Sequence, residues 1–101
     1  MATRHPITCI VRGDGVAPHE RIVSVGGIDP EGYRWRLSQR EVIAGIESGK
    51  WSFHVAGAET NVRIVVAVGI GGEKYLKGEI DGEQPDSLLR LPECRATPLR
   101  L

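Results

Sequence analysis

Apolar residues recur at every second position along three stretches of the chain and at helical spacing along a fourth. Residues 33–37 alternate Tyr33, Trp35 and Leu37 with Arg34 and Arg36. That period predicts a strand with the aromatic and leucine side chains on the core and both arginines in water. Residues 51–55 repeat the alternation, with His54 beside Ser52 on the polar face. Residues 62–70 place Val62, Ile64, Val66, Val68 and Ile70 on one face, and Val65 with Ala67 makes the other face nearly apolar. A strand of that kind belongs in the middle of a sheet or at an interface. Residues 38–49 carry the helical pattern. Ser38 is placed as N-cap, Glu41 closes a capping box, and Leu37 with Val42 forms a hydrophobic staple. Gly49 supplies a left-handed stop. Val42, Ile43 and Ile46 fall in one stripe. A helix of about 11 residues, about 16 Å long, does not persist alone in water, so the stripe must lie on a sheet.

The remaining chain reads as strand and turn. The β-branched run at 6–12 predicts a first strand, broken by Gly13-Asp14-Gly15 and a loop through Pro18. Residues 12–14 spell R-G-D, read here as chance in a loop. A second strand spans 21–28 and ends in Gly26-Gly27, where a bulge or a close backbone approach is expected. Asp29-Pro30-Glu31-Gly32 fits a type I turn. Residues 57–61 read as a hairpin loop, and Gly71-Gly72 as a primed hairpin turn into a strand at 74–77. The Gly69-x-Gly71-Gly72 cluster lacks the spacing and following helix of a dinucleotide site. Residues 79–86 carry four acids with Gly82 and Pro85 and read as loop. Residues 87–92 give one helical turn or a short edge strand before Pro92, and 95–101 a disordered tail. The expectation is a single α+β domain over residues 1–94, built from two antiparallel β-meanders of about six strands joined by one short helix packed on the sheet.

Composition narrows the class. A chain of 101 residues forms one domain and buries about 60–70% of its unfolded surface, enough for a core without staples. Lysine plus arginine and aspartate plus glutamate both count 13, so no global field draws the chain to nucleic acid or membrane. No apolar run approaches the roughly 20 residues of a membrane span, and residues 1–6 show no signal-peptide core. Cys9 and Cys94 are the two cysteines, and reduced thiols in the cytoplasm are the expectation.

Several motifs occur together: His19-Glu20-x-Ile22, Ile46-Glu47-Ser48-Gly49, Lys74-Tyr75-Leu76-Lys77, Asp81-Gly82 and Leu88-Leu89-x-Leu91-Pro92-x-Cys94. This arrangement resembles the bacterial domain-of-unknown-function family 3892 over roughly residues 5–94. In that family a threonine often follows the tyrosine-leucine element, where this chain has Gly78. The resemblance implies a small stand-alone cytosolic bacterial domain with no assigned activity and no catalytic residues to carry over.

Three histidines and two cysteines raise the question of metal. His5 and Cys9 are the close pair, but four positions along a strand separate them by more than about 10 Å, so no metal and no cofactor are expected. For an enzyme, Cys9 or Cys94 with His19, His54 or Glu20 would have to form a nucleophile and base, and no local motif accompanies either cysteine. The pair His19-Glu20 reads equally as a polar anchor for its loop. Tyr33, Arg34, Trp35, Arg36 and Arg40 combine rings and cations as a nucleic-acid surface would. Alternation, however, sends both rings inward, away from the arginines, so nucleic acid is the alternative rather than the main reading. The main expectation is a non-catalytic binding or interaction module. Its candidate surface is Arg34, Arg36, Arg40, His19 and Glu20, with a homodimer or protein partner met through the apolar sheet. A small Cys/His enzyme is the second alternative.

Overall fold

In the computed structural model, which describes residues 3–56 and 61–94, the helix begins where the cap residues place it. Ser38 Oγ accepts the Glu41 N–H at 3.1 Å, and Glu41 Oε1 accepts the Ser38 N–H at 2.8 Å. Helix α1 spans Gln39–Glu47, and Gly49 at φ 77° follows it. Among the described residues seven strands surround it: β1 (Thr3–Ile7), β2 (Cys9–Arg12), β3 (Ile22–Ile28), β4 (Arg34–Ser38), β5 (Trp51–Ala56), β6 (Asn61–Val68) and β7 (Lys74–Gly78). A short helix α2, Asp86–Leu89, follows, and one 3-10 turn, Pro18–Glu20, precedes β3. The fold is α+β, as the patterning implies.

The strands form two sheets, ordered β2-β3-β4 and β1-β5-β6-β7. Each contains an antiparallel meander, β2 to β4 and β5 to β7, and α1 connects the two. The expected first strand at 6–12 is in fact two strands. The chain leaves the larger sheet at Thr8, whose N–H donates to Gly26 O at 2.8 Å, and enters the smaller one as β2. β1 runs parallel to β5 at a sheet edge, with Pro6 opposite His54. Proline has no N–H for a ladder, and an edge position tolerates that lack.

The hairpins β3–β4 and β6–β7 turn in the same way. Asp29 N–H donates to Tyr33 O and Gly32 N–H to Asp29 O; Gly69 N–H donates to Glu73 O and Gly72 N–H to Gly69 O. Gly32 and Gly72 each stand at φ 91°. This is a type I turn followed by a left-handed glycine, which places the expected turn at 29–32 and corrects the primed turn expected at Gly71-Gly72.

The core joins Ile7, Ile10, Ile22, Val25, Val42, Phe53, Val55, Ile64, Leu76 and Leu88. α1 packs across strands of both sheets. Trp51 lies on Gly45, where a Cβ would collide with the indole. β6 is an interior strand, as expected. Ile64 is buried and Val62, Val65, Val66 and Ala67 are half-buried, so much of its apolar surface is covered within the chain. Val68 and Ile70 remain exposed at its end.

The outer edge of β7 is closed by side chains. Leu76 and Gly78 each sit opposite a β6 residue in the pairs whose N–H groups point away from the partner strand. Gln39 Oε1 accepts the Leu76 N–H at 2.9 Å, and Asp81 Oδ2 accepts the Gly78 N–H at 2.7 Å. Asp81 also receives Ser87 N–H at 3.0 Å and Ser87 Oγ–H at 2.7 Å, which seats α2. A Cβ at Gly78 would stand 2.6 Å from Ser87 Oγ and 2.8 Å from Val62 Cγ1, so glycine is required there. The hairpin loop expected at 57–61 falls largely outside the described residues, and the disordered tail expected at 95–101 falls wholly outside them.

Candidate functional site

The smaller sheet shapes the first candidate. Register pairs Arg34 with Ile28 and Arg36 with Gly26, and Gly26 with Cys9, so these side chains share the face of the sheet opposite Trp35 and Leu37. Beside β2, the segment after α2 adds a short parallel bridge: Ile10 N–H donates to Pro92 O at 3.0 Å and Cys94 N–H to Ile10 O at 2.8 Å. A groove of about 350 Å³ runs between this segment and β4, lined by Thr8, Cys9, Gly27, Ile28, Arg34, Trp35, Arg36, Pro92, Glu93 and Cys94.

Cys9 and Cys94 are bonded to each other, 85 residues apart in the chain. This corrects the expectation of reduced thiols. The pairing brings the end of the domain onto its second strand, a contact that spacing along the sequence does not reveal. Gly26 makes room for it: an ideal Cβ there would stand 3.0 Å from Cys9 Sγ and 3.1 Å from Cys94 Sγ. With both sulfurs joined, neither cysteine is a free nucleophile for a histidine to activate, and the thiol argument for the cytoplasm falls away with it.

Arg12 holds the same segment from the other side. Its Nη2 donates to Leu89 O at 2.6 Å and Leu91 O at 2.9 Å, and its Nη1 meets Glu93 Oε2 at 3.0 Å. The guanidinium therefore caps the end of α2 and offsets the Glu93 charge at the groove wall. Beneath the groove, Trp35 packs on Phe53 and His5 at centroid distances of 5.8 and 5.9 Å. The Trp35 indole N–H is buried and has no hydrogen-bond acceptor among the described residues.

The predicted candidates separate. Arg34 and Arg36 line this groove, whereas Arg40 is exposed on α1 and lines neither groove described here. His19 lines a second groove of about 300 Å³, with Ala17, Pro18, Val68, Ile70, Glu73, Tyr75 and Glu83 among its walls. Glu20, next to His19, receives the Ala17 N–H at 3.3 Å and so braces its own turn. The turn itself is tied to α1 through the backbone, since Gln39 Nε2 donates to His19 O at 3.1 Å. Tyr33, expected on the core, is 72% exposed: it closes the β-turn before β4 begins, so strand alternation does not govern it. His54 is half-buried, and its Nδ1 is buried without a partner among the described residues. Burial, and secondly the charge of Arg4, hold its pKa below the ordinary value of 6.5.

Sequence reasoning missed the Cys9–Cys94 bond and the role of Trp35 as a groove wall. The even cysteine count was the one signal for the bond. Among the described residues no group of three or more His, Cys, Asp or Glu side chains converges as a metal site would require. No helix among them is long and apolar enough to cross a membrane.

No curated protein and no solved structure shows significant similarity to the chain. The model of a family described as proteins of unknown function, DUF3892, does match it across residues 6–92, nearly the whole described domain, and the chain belongs to that family.

Proposed function

We propose that the domain is a non-catalytic binding module that takes an extended, acidic protein segment in the groove beside β4. The observation that carries this reading is the placement of Arg34 and Arg36 along a groove otherwise walled by Gly27, Ile28, Trp35, Pro92 and the cystine. Two residues apart on one strand, the arginines stand about 7 Å from each other. Alternate side chains of an extended peptide repeat at the same distance. Carboxylates at alternate positions would each meet a guanidinium, and the residues between them would lie on the apolar walls. Glu93, the acid on the opposite wall, is already paired with Arg12.

The test is a titration of isotope-labelled protein with a short peptide alternating aspartate and leucine. Saturable amide shifts at Gly27, Ile28 and residues 34–36 are expected. Replacing Arg34 and Arg36 together by alanine should weaken binding at least tenfold, while Arg40→Ala leaves it unchanged. Shifts that are absent, or that follow Arg40, would refute the reading.

One observation favours a second reading. Tyr33 is exposed immediately before the two arginines, as a base-stacking platform requires. A single-stranded oligonucleotide in the same titration would then shift Tyr33 and residues 34–36 and lose affinity steeply with salt. The neutral net charge places this second.

A further inference from the structure

We infer that the Cys9–Cys94 bond is an exchangeable latch, open to attack by low-molecular-weight thiols, that holds the groove wall in place. The groove part of this inference rests on the binding reading above, whereas the exchange itself does not. Both cysteines are half-buried, and both line a groove that opens to solvent. Structural cystines are ordinarily packed away from reagents; this one lies along a groove with Arg34 and Arg36 among the other walls. Guanidinium groups near a sulfur favour its thiolate, both as a leaving group and as the reduced product.

The step balances with a dithiol as reductant. One reagent thiolate attacks either cystine sulfur, the bond between Cys9 and Cys94 breaks, and a mixed disulfide forms while the other cysteine leaves as thiolate. The reagent's second thiolate then attacks the mixed disulfide and leaves as a cyclic disulfide, releasing the second cysteine. Two electrons pass to the protein, and each cysteine thiolate takes up a proton according to its pKa.

What opens is confined by the surrounding contacts. Beyond the cystine, residues 92–94 are tied to β2 by two backbone hydrogen bonds at Ile10 and by the Glu93–Arg12 pair at the surface. Leu88, four residues before Pro92, is fully buried and keeps α2 seated. Reduction therefore releases the Cys94 side chain from Cys9 and loosens the wall at that end, while these bonds keep Pro92 and Glu93 on β2 and leave both sheets intact.

The experiment treats the full chain with dithiothreitol at neutral pH without denaturant, then alkylates it and weighs it intact. Amide spectra and titration with the aspartate-leucine peptide follow on oxidised and reduced samples. Two alkyl adducts on folded protein are expected, with shifts confined to the neighbours of the groove and the amides of β6 unmoved. Peptide affinity should fall at least fivefold on reduction, and Cys94→Ser should reproduce the reduced spectrum and affinity. A bond that resists the thiol until denaturant is added would overturn the latch, as would loss of the β6 amide pattern on reduction. Peptide binding that is equal in both states overturns the latch and leaves the binding module standing. Absence of peptide binding in both states, with local opening observed, overturns the binding module and leaves the exchange standing.

Discussion

The side-chain carbonyl of Gln39 accepts the backbone N–H of Leu76 at 2.9 Å, tying the first residue of α1 to the outer edge of β7. The side-chain nitrogen of the same glutamine, Nε2, donates to His19 O at 3.1 Å and to Ile22 O at 2.9 Å. One half-buried glutamine thus satisfies three backbone groups from three segments, and it blocks a strand edge that would otherwise offer a template for pairing. Gln39→Ala should destabilise the domain by about 1–3 kcal/mol, the range for leaving buried polar groups without partners. Urea denaturation measures the loss, and hydrogen exchange at the Leu76 amide should accelerate more than at Val66.

Gly45 gives a prediction whose sign separates two effects. On an isolated helix, Gly→Ala is worth about 1 kcal/mol in favour of alanine. Here the added methyl would meet the Trp51 ring, which lies on the helix at that point. Overpacking of this kind costs about 1–3 kcal/mol. Gly45→Ala is expected to lower stability in the native background and to raise it, or leave it unchanged, when Trp51→Ala is also present. A stabilised single variant would mean that Trp51 does not pack on the helix.

The N-cap should be measurable too. Ser38→Ala removes the acceptor for the Glu41 N–H and should cost about 1 kcal/mol. Chemical denaturation of the pair of proteins checks it. A change well below about 0.5 kcal/mol, the low end for replacing a capping serine by alanine, would place the start of the helix elsewhere.

His54 predicts a pH dependence. Its folded pKa lies below 6.5, chiefly through burial and secondly through Arg4. The unfolded chain therefore binds more protons as pH falls from that value towards the folded pKa. Stability is full above the unfolded pKa and declines as the solution is acidified through the folded one. The slope of stability against pH across this window should flatten in His54→Gln. An unchanged slope in that variant would assign the dependence to other groups.

The cystine closes a loop of 85 residues. Its loss should cost about 2–5 kcal/mol, largely through the freedom restored to the unfolded chain. Cys9→Ser and Cys94→Ser should therefore show closely similar falls in denaturation midpoint. Variants as stable as the native protein would indicate that the bond contributes nothing to the fold.

Much of the architecture is written in local patterns. The cap and stop of α1, the type I turn at Asp29, the alternation of Trp35 with its neighbouring arginines and the interior position of β6 each depend on residues within a few positions of one another. Backbone sterics and apolar burial act at that range, so the sequence alone determines them. It also determines that this is an α+β chain of two meanders. The tertiary structure decided the rest. It split the first strand at Thr8, because the segment before it pairs with β5 and the segment after it with β3. It turned Tyr33 outward at the end of a hairpin, and it set Gln39 between the stretch at 19–22 and β7, which lie more than fifty residues apart in the chain. Above all it joined Cys9 to Cys94 over the bare backbone of Gly26, and so built the groove that Arg34 and Arg36 line. Contacts between residues tens of positions apart depend on how whole elements pack against a shared core, and no local spacing encodes that.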